Sequence, residues 1–519
     1  MSLSEKNGVA TTLTNFTIDR VGQPLRDFQG GVIAANGSVS ASLYGQNLTP
    51  PVNRDFHFDG VDPNGTKWSA DITVPFLAST SLSPSVELIA APATVQQSPT
   101  APASCQWSHQ LTIQEQNGFA VEVMGLFTNL TDFSSNIRQL FGTTRLAPLG
   151  MLQATICRGD ITGPTTDTYT LLGFAEDFSI VTQIVTVTFA GPATNPPAFT
   201  ASPATVNLSV PDTSAPPNAT VNLTFTGGSP NWTVKVLPDN RTTAWLQVSP
   251  LFGSGSGELQ IAASAGLSKG VYRALVTITP DSGNPQSITV PVIFVVGASS
   301  AISVTQYSNA ASYVNAYAPG MAMAILGTNL APSQMTDFDL PMLLTMEGVS
   351  VTVNGVSAPF YYVSPTQLNI QIPYETTLGD AVVGIDNSGQ VTSFTIPISV
   401  SAPGIYAALD GSGMLVPVSS GEQGKSVTAY ITGEGNESPS VPTGAPGLFS
   451  QPGLPVSMTV AGLTATIDFV GTTDWAAGTT EIDFEVPANA PLGPQPVVVT
   501  VGNVASAPMT LNVTAASTR

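Results

Sequence analysis

Histidine, the residue most often used for acid–base catalysis and zinc binding, is scarce in this 519-residue chain. Only His57 and His109 are present, and they fall in different copies of a repeat described below. A Ser-His-Asp triad or a multi-histidine zinc site therefore lacks the residues it requires. No GxSxG, HExxH, GxGxxG or phosphate-loop pattern stands between a strand and a helix. We predict that the chain is not an enzyme and has no catalytic, cofactor-binding or metal-binding residues.

Two groups of acidic residues offer alternatives to that prediction. The segment Asp59–Gly65 could hold calcium, but no glutamate follows at the spacing of a calcium loop, and its Asn-Gly pair favours a hairpin turn. Glu481, Asp483 and Glu485 alternate along one predicted strand, so their side chains share a face. This pattern is typical of a charged, solvent-facing strand, and a glycosidase carboxylate pair is the remote alternative.

Aromatic side chains could stack on sugar rings, and the candidates are Trp107, Trp232, Trp245, Tyr361 and Tyr362. A tryptophan in a small β-sandwich is more often a core residue than a binding platform, so we expect core packing for each of them. If Tyr361 and Tyr362 lie on one strand they point to opposite faces, and only one is expected to be buried. Trp232, Trp245, Tyr361 and Tyr362 remain the candidate ligand contacts.

The two cysteines, Cys105 and Cys157, fit either one disulfide or two buried thiols, and no CxxC motif is present. Both flank strand-like segments of what the pattern indicates is one module. That placement favours a disulfide, which would close a loop of 52 residues and constrain the unfolded chain.

Charge and composition exclude several partners. Fourteen Lys plus Arg against 34 Asp plus Glu give a formal net charge of −20, and no basic stripe is present, so nucleic acid is not expected to bind. The most apolar stretch, residues 287–304, is interrupted by Pro291 and Gly297, so we predict no transmembrane segment. The residues after Met1 lack the apolar region of a signal peptide, and export has to be argued on other grounds.

Short strands are predicted to position these residues. The 47 Gly and 43 Pro lie between short apolar runs without a fixed period, which is typical of turns between strands. Apolar and polar residues alternate at 184–189, 367–372 and 393–400, among other runs. The one helical window is 132–140, where Asp132 is a candidate N-cap.

Two internal repeats organise the strands. A shift of 113 positions places Phe28–Phe76 on Phe141–Phe189 without a gap, and near the other end Val349–Ala358 matches Val456–Ala465. In the first pair the apolar positions recur while polar ones such as His57 change. We interpret the repeats as copies of one apolar core pattern in which the polar residues are free to change.

The predicted fold class is all-β, with tandem immunoglobulin-like β-sandwich modules following one another in a row on short linkers. Five modules suit the chain length. The predicted divisions are 1–98 and 99–195 as two copies of one sandwich, 196–299 as a middle sandwich, and 300–406 and 407–519 as a C-terminal pair.

The C-terminal pair carries a series of motifs in order, including Asn309–Ser312, Ile325–Leu330, Tyr362–Asn369 and Ala402–Ile405. Over about residues 303–515 the chain resembles an uncharacterised C-terminal Ig-like domain family of exported acidobacterial proteins. The resemblance implies an extracytoplasmic protein with Ig-like folds. It implies no activity and no binding residue.

The middle module resembles the BACON family over about residues 197–297. The segments that carry this resemblance are Trp245–Pro250, Gly253–Gly257 and Gly266–Tyr272. The family implies a spacer or a carbohydrate-binding sandwich beside bacterial surface and glycan-handling domains. The N-terminal pair, through Phe141–Leu146, is similar to units found upstream of the C-terminal family.

These features together predict a non-catalytic extracellular or cell-surface structural or adhesion protein that self-assembles through short, weakly charged β edges. The alternative is a carbohydrate-binding accessory protein acting through the BACON-like module. An enzyme whose site is not visible in the sequence is the weakest hypothesis. Candidate partners are therefore polysaccharide or further copies of the chain.

Overall fold

The computed structural model describes residues 1–23, 25, 28, 31–41, 52–76, 83–212, 214–216, 218–239, 245–299, 301–337, 340–447 and 449–517. Within these ranges the chain is built almost entirely of strands, which form five β-sheet modules, so the predicted fold class is confirmed. Each module surrounds its own cluster of buried apolar side chains.

Module 1 (residues 1–76) contains seven strands among its described residues. They are β1 (Ser2–Ser4), β2 (Thr11–Ile18), β3 (Val21–Gly22), β4 (Val32–Ile33), β5 (Ser38–Ser40), β6 (Val52–Val61) and β7 (Lys67–Phe76). One sheet has the order β3-β2-β6-β7, with β4 also paired to β2, and a second consists of β1 and β5.

Module 2 (residues 83–192) contains the only α-helix in the described part of the chain, α1 (Ile137–Phe141). Its strands are β8 (Val86–Ala91), β9 (Thr94–Gln97), β10 (Trp107–Glu115), β11 (Val121–Phe127), β12 (Arg145–Leu146), β13 (Met151–Arg158), β14 (Thr165–Ala175) and β15 (Ile180–Pro192). They form sheets β13-β10-β8 and β12-β11-β14-β15-β9. The helix is shorter than the predicted window, and Asp132 instead accepts the N–H of Ser134 in a turn before it.

Module 3 (residues 198–296) has two sheets, ordered β16-β18-β22-β20 and β17-β24-β23-β19-β21. The strands are β16 (Ala198–Ser202), β17 (Val206–Val210), β18 (Ala219–Thr226), β19 (Asn231–Asp239), β20 (Leu246–Ser249), β21 (Phe252–Ser254), β22 (Gly257–Ala263), β23 (Gly270–Pro280) and β24 (Ile288–Val296).

Module 4 (residues 298–398) has two five-stranded sheets, ordered β25-β34-β33-β29-β30 and β26-β27-β32-β31-β28. The strands are β25 (Ala298–Ser299), β26 (Ser303–Asn309), β27 (Ala322–Thr328), β28 (Met335–Thr336), β29 (Val349–Val353), β30 (Val356–Ala358), β31 (Phe360–Val363), β32 (Gln367–Gln371), β33 (Gly379–Asn387) and β34 (Gln390–Ile398).

Module 5 (residues 404–514) forms one continuous sheet in the order β35-β37-β42-β41-β40-β43-β45-β36, with β44 on β43 and a separate β38–β39 pair. The strands are β35 (Gly404–Ile405), β36 (Ser420–Glu422), β37 (Ser426–Thr432), β38 (Glu437–Ser438), β39 (Gln451–Pro452), β40 (Val456–Val460), β41 (Leu463–Thr472), β42 (Thr480–Glu485), β43 (Gly493–Val501), β44 (Val504–Ala505) and β45 (Met509–Thr514).

The sequence repeats correspond to strand positions. Strands β4, β6 and β7 fall on β12, β14 and β15, and the bulge between Leu13 and Asn15 recurs between Val123 and Gly125. A polar feature repeats as well, contrary to the prediction that only the core does. Glu5 and Glu115 each accept N–H groups from the two residues of the Asn-Gly pair that follows and from a third residue further along the chain.

Three of the predicted divisions need correction. Strands β8 and β9 pair with β10 and β15, so module 2 begins before residue 99. Likewise β25 pairs with β34, and β35 pairs with β37, which moves the divisions at 299/300 and 406/407 towards the N-terminus. Strand patterning does not show which sheet a short edge strand joins, because that choice is made by contacts distant in sequence.

The modules also pack against one another, a feature that the sequence pattern does not predict. Met151 of module 2 lies in a small apolar cluster with Leu237 and Leu275 of module 3. Leu275 belongs to β23, which is buried along most of its length instead of alternating. One face of β23 covers the core of module 3 and the other contacts neighbouring modules.

Candidate functional site

Helix α1 ends where modules 2, 4 and 5 meet. Gly142 terminates it in the left-handed conformation, with φ +84°. The carbonyl oxygen of Phe141 accepts hydrogen bonds from the Leu378 N–H (3.1 Å) and the Thr377 hydroxyl (3.2 Å) of module 4. The Asn436 side-chain amide of module 5 donates to the oxygen of Gly142. Carbonyls that a helix end leaves free are thus satisfied by two other modules.

The Asn436 amide belongs to the segment Gly433–Glu437. At two positions of this segment the backbone has a conformation and surroundings that only glycine fits. Gly433 and Gly435 have φ +89° and +85°. A Cβ on either would collide with the carbonyl oxygen of Ala402 or of Val400, in the linker between modules 4 and 5. The two glycines therefore hold the residues between and after them at the junction of the modules.

Buried polar side chains cross between modules 4 and 5. The Gln371 amide is fully buried, donates to the Gly320 oxygen (3.1 Å) and accepts from the Gly444 N–H (2.7 Å). The Thr432 hydroxyl accepts from the Ala322 N–H at 2.9 Å. Because each buried polar group has a specific partner on the other module, the interface has one relative orientation.

Two glutamates of module 5 lie at this junction with incomplete hydrogen bonding. Glu434 is 2 % exposed and accepts from the Thr480 hydroxyl at 2.7 Å, whereas Glu437 is 0 % exposed. Burial raises the pKa of Glu434 to about 7 and raises that of Glu437 well above its usual range, with the charge of Glu434 adding to the second shift. Perturbed carboxyls of this kind are hallmarks of functional sites or of missing counter-charges.

Trp232 and Trp245, two of the predicted ligand contacts, lie in the core of module 3. Each is 3 % exposed. The Trp232 indole donates to the Gly255 oxygen at 2.9 Å, and Trp245 packs against Tyr272 and Phe294. Neither ring is accessible to a sugar, which corrects their retention as ligand contacts.

Tyr361 and Tyr362 border a cleft of about 290 Å³ on module 4, together with Gln367 and Asn369. The Tyr361 hydroxyl donates to the Ala477 oxygen of module 5 at 2.6 Å. Both rings are half-buried, so the expectation of one buried and one exposed residue does not hold. Of the four candidates, these two can touch a ligand.

The acidic alternatives take structural roles. The Asp62 carboxylate accepts the N–H groups of Asn64 and Thr66, and Gly65 has φ +84°, so Asp59–Gly65 includes the hairpin turn between β6 and β7. The side chains of Glu481, Asp483 and Glu485 share one half-buried face of β42. In the described part of the chain no group of three or more His, Cys, Asp or Glu side chains could hold a metal ion.

Cys105 and Cys157 form the predicted disulfide, which joins the turn before β10 to β13. His57 lies on the exposed face of module 1 between two carboxylates, with its Nδ1 2.6 Å from Asp71 and its Nε2 3.2 Å from Asp59. The hydrogen bond to Asp71 raises the pKa of His57.

Comparisons with known proteins find distant structural similarities. No family model and no curated protein matches the chain. Similar solved structures include the human desmocollin-1 ectodomain (9% identity, 98% of this chain and 93% of that chain, TM-score 0.16), Drosophila N-cadherin EC1-3 (13%, 57% and 91%, 0.17) and Bacteroides ovatus SGBP-B of a mixed-linkage glucan utilization locus (13%, 61% and 71%, 0.25). At these identities and TM-scores the similarity does not indicate a function. The two family resemblances remain predictions.

His109 is a buried titratable group away from the junction. It is 2 % exposed in module 2, and neither ring nitrogen has a hydrogen-bond partner in the described part of the chain. Its ring packs edge-on against Tyr169 and Phe189, at 5.4 and 5.9 Å. Burial lowers the pKa of His109 to about 4, and the positive charge of Arg158 adds to the shift.

We expect module 2 to lose about 3 kcal/mol of stability as the pH falls from about 6.5 towards 4. The folded state keeps His109 neutral, whereas the unfolded chain binds a proton near pH 6.5. The contribution is therefore complete above 6.5 and is lost as the pH approaches the folded pKa near 4. Hydrogen exchange of β10 at pH 7 and 4.5 measures it. His109→Phe keeps the ring without titrating, and equal acid sensitivity of both proteins would contradict the prediction.

Proposed function

We propose that the chain is a non-catalytic extracellular or cell-surface structural or adhesion protein whose modules act as one rigid body. The observation that carries this proposal is the junction at the end of α1, where Thr377 and Asn436 of two other modules bind its last carbonyls. A buried amide, Gln371, supports the same conclusion between modules 4 and 5. The disulfide between Cys105 and Cys157 favours an oxidising compartment.

An open strand edge supports self-association as part of this role. Strand β7 of module 1 is the end strand of its sheet among the described residues. Its counterpart β15 in module 2 is covered by β9, which pairs with it in parallel. An uncovered edge of this length offers backbone N–H and C=O groups to another chain.

The competing candidate is carbohydrate binding, which the cleft beside Tyr361 and Tyr362 favours because it combines aromatic rings with amide groups. This cleft lies in module 4 and not in the BACON-like module. Within the described ranges, no helix has the length and apolarity needed to span a membrane.

Surface labelling of intact cells tests the proposed location, and sedimentation of the purified chain tests self-association. A chain found only inside the cell would overturn the proposal. A glycan array distinguishes the second candidate, since retention that is lost in Tyr362→Ala would favour carbohydrate binding over a purely structural role.

Rigidity is tested by the double variant Thr377→Ala/Asn436→Ala. Removing these side chains takes away one bond to each of two buried carbonyls. The Phe141 oxygen keeps the Leu378 N–H, so its loss is worth about 0.5–1.5 kcal/mol, whereas the Gly142 oxygen loses its side-chain donor at a cost of about 1–3 kcal/mol. We expect faster hydrogen exchange at Leu378, whose N–H binds the Phe141 oxygen, with exchange inside the sandwich cores unchanged. A matched control, Thr224→Ala/Asn207→Ala on exposed strand positions of module 3, is expected to have no effect at Leu378.

A further inference from the structure

Exposed apolar side chains are concentrated on module 2. Seven of the 19 large apolar side chains that are exposed in the described part of the chain belong to this module. Phe178 is 91 % exposed, Ile180 65 % and Ile184 63 %. Proteins rarely leave such side chains together in water unless another surface covers them, so the concentration requires an explanation.

Strand register places these side chains on one face of the sheet β12-β11-β14-β15-β9. Phe174 pairs with Ile180. Thr170 pairs with Phe127 on one side and with Ile184 on the other. Paired residues of neighbouring strands point to the same side of a sheet. With Leu172 between the two rows and Phe178 in the turn after β14, they form a surface that we call the apolar face of module 2: Phe127, Leu172, Phe174, Phe178, Ile180 and Ile184.

The two sheets of module 2 differ in what covers their outer sides. The sheet β13-β10-β8 packs against module 3, where the buried Gln114 amide donates to the Pro238 oxygen at 3.1 Å. The apolar face belongs to the other sheet. At the margin of that sheet, Glu122 accepts from the Ser440 hydroxyl of module 5 at 3.3 Å. Beyond this margin the apolar residues are exposed, so the face is available to a partner outside the chain.

The other copy of the repeat shows that the fold does not require an apolar face. Under the shift of 113 positions, Ile180 and Ile184 fall on Lys67 and Asp71 of module 1. The corresponding positions of β7 are therefore charged. Since both copies form the same strands, the apolar residues of module 2 serve a contact and not the sandwich itself.

We propose that the apolar face of module 2 is a dimer interface that binds the same face of a second copy of the chain. The inference rests on the self-association in the proposed function and assigns it to a different surface from the edge of β7. Two sheets stack about 10 Å apart when their side chains interdigitate, as they do inside a β-sandwich. A two-fold axis brings the face onto itself, which is the commonest symmetry of protein dimers.

The area of the face matches what a stable dimer requires. From their exposed fractions, the side chains of the apolar face present roughly 600 Å² to solvent. The exposed threonines beside them on β14 and β15 bring the surface close to the roughly 800 Å² that each partner contributes to a standard interface.

The chemistry of the face also favours a second copy. The outward positions of β14 from Thr166 to Phe174 and of β15 from Ile180 to Thr188 are threonine, leucine, phenylalanine and isoleucine, with no charged residue. A partner recognised by charge would find nothing to pair with, whereas an uncharged face matches itself. Because each chain has a formal net charge of −20, two copies repel at their charged surfaces, and contact is expected where charge is absent.

Sedimentation velocity of the full chain over a range of concentrations tests the proposal. We expect a monomer–dimer equilibrium that strengthens with added salt, because salt screens the repulsion between two anionic chains and leaves the apolar contact intact. Ile184→Asp is expected to raise the dissociation constant at least about a hundredfold, since it places a carboxylate without a counter-charge in the contact. Asp71 occupies the same position in module 1, so the variant is expected to fold.

A second variant, Phe178→Asn, keeps the proposal testable if Ile184→Asp does not fold. Phe178 has φ +65°, a conformation that asparagine adopts more readily than phenylalanine. The variant should therefore fold at least as well as the unaltered chain, and it should weaken the dimer about tenfold. The control Phe252→Asn removes a ring that is 76 % exposed on module 3 and should leave the dissociation constant unchanged.

Three results would overturn the inference. One is a chain that stays monomeric at high concentration. Another is cosedimentation of the monomer with phosphatidylcholine vesicles, which would identify a membrane as the occupant of the face. The third is self-association that Ile184→Asp and Phe178→Asn leave unchanged, which would place the contact elsewhere, as at the edge of β7, and leave the proposed function standing. A chain confined to the cell interior would instead overturn the proposed function and not the dimer.

Discussion

Replacing Arg158 with methionine is expected to lower the stability of module 2 by about 3–5 kcal/mol. Arg158 is 1 % exposed, and its guanidinium binds Asp160 at 2.7 Å and Asp167 at 3.1 Å. Asp167 is equally buried, so loss of the arginine leaves a carboxylate without a counter-charge. The guanidinium also lies over the rings of Phe133 and Phe189, contacts that methionine only partly replaces.

The measurement is hydrogen exchange of β13 and β14 in increasing denaturant, because five modules do not unfold in one two-state step. The control is Lys235→Met, which breaks the surface pair with Glu87 and is expected to cost less than about 1 kcal/mol. The double variant Arg158→Met/Asp167→Leu should recover most of the loss. If the single variant costs no more than the control, the buried pair does not stabilise the module.

Replacing both Cys105 and Cys157 with serine is expected to lower the stability of module 2 by about 4 kcal/mol. The bond closes a loop of 52 residues that includes β10, β11, α1 and β12, so its removal frees the unfolded chain more than the folded one. The loss should appear in hydrogen exchange of β10 and β13 and leave module 3 unchanged.

Reduction of the unaltered chain is the matched control for the serine variant. Reduced protein should show the same exchange rates in module 2 as the double serine variant. A reduced chain as stable as the oxidised one would contradict the prediction that the disulfide stabilises module 2.

The amino-acid sequence alone predicts the sandwich architecture because strand burial repeats every two residues. In β14 and β17 the buried and exposed positions alternate, as the sequence pattern indicates. The internal repeats were visible for the same reason, since Phe28 and Phe141 are both fully buried core residues. The disulfide was predictable from its two cysteines, because both lie beside strands of one module.

Features that depend on contacts between modules could not be predicted in this way. Strand β23 is buried on both faces, so its sequence does not show which face covers the core of module 3 and which face contacts other modules. The segment Gly433–Glu437 has no regular alternation of apolar and polar residues, so its contacts with other modules are not visible in the sequence. One signal was present and missed: a Glu-x-Asn-Gly sequence occurs in both copies of the first repeat, at Glu5 and Glu115.

The sequence by itself determined which side chains face a core, because that choice depends on local alternation along each strand. The tertiary structure alone decided which modules touch, where α1 ends, and that Glu434 and Glu437 are buried. The contacts between modules join residues some 70 to 300 positions apart, and side-chain periodicity contains no information at that range.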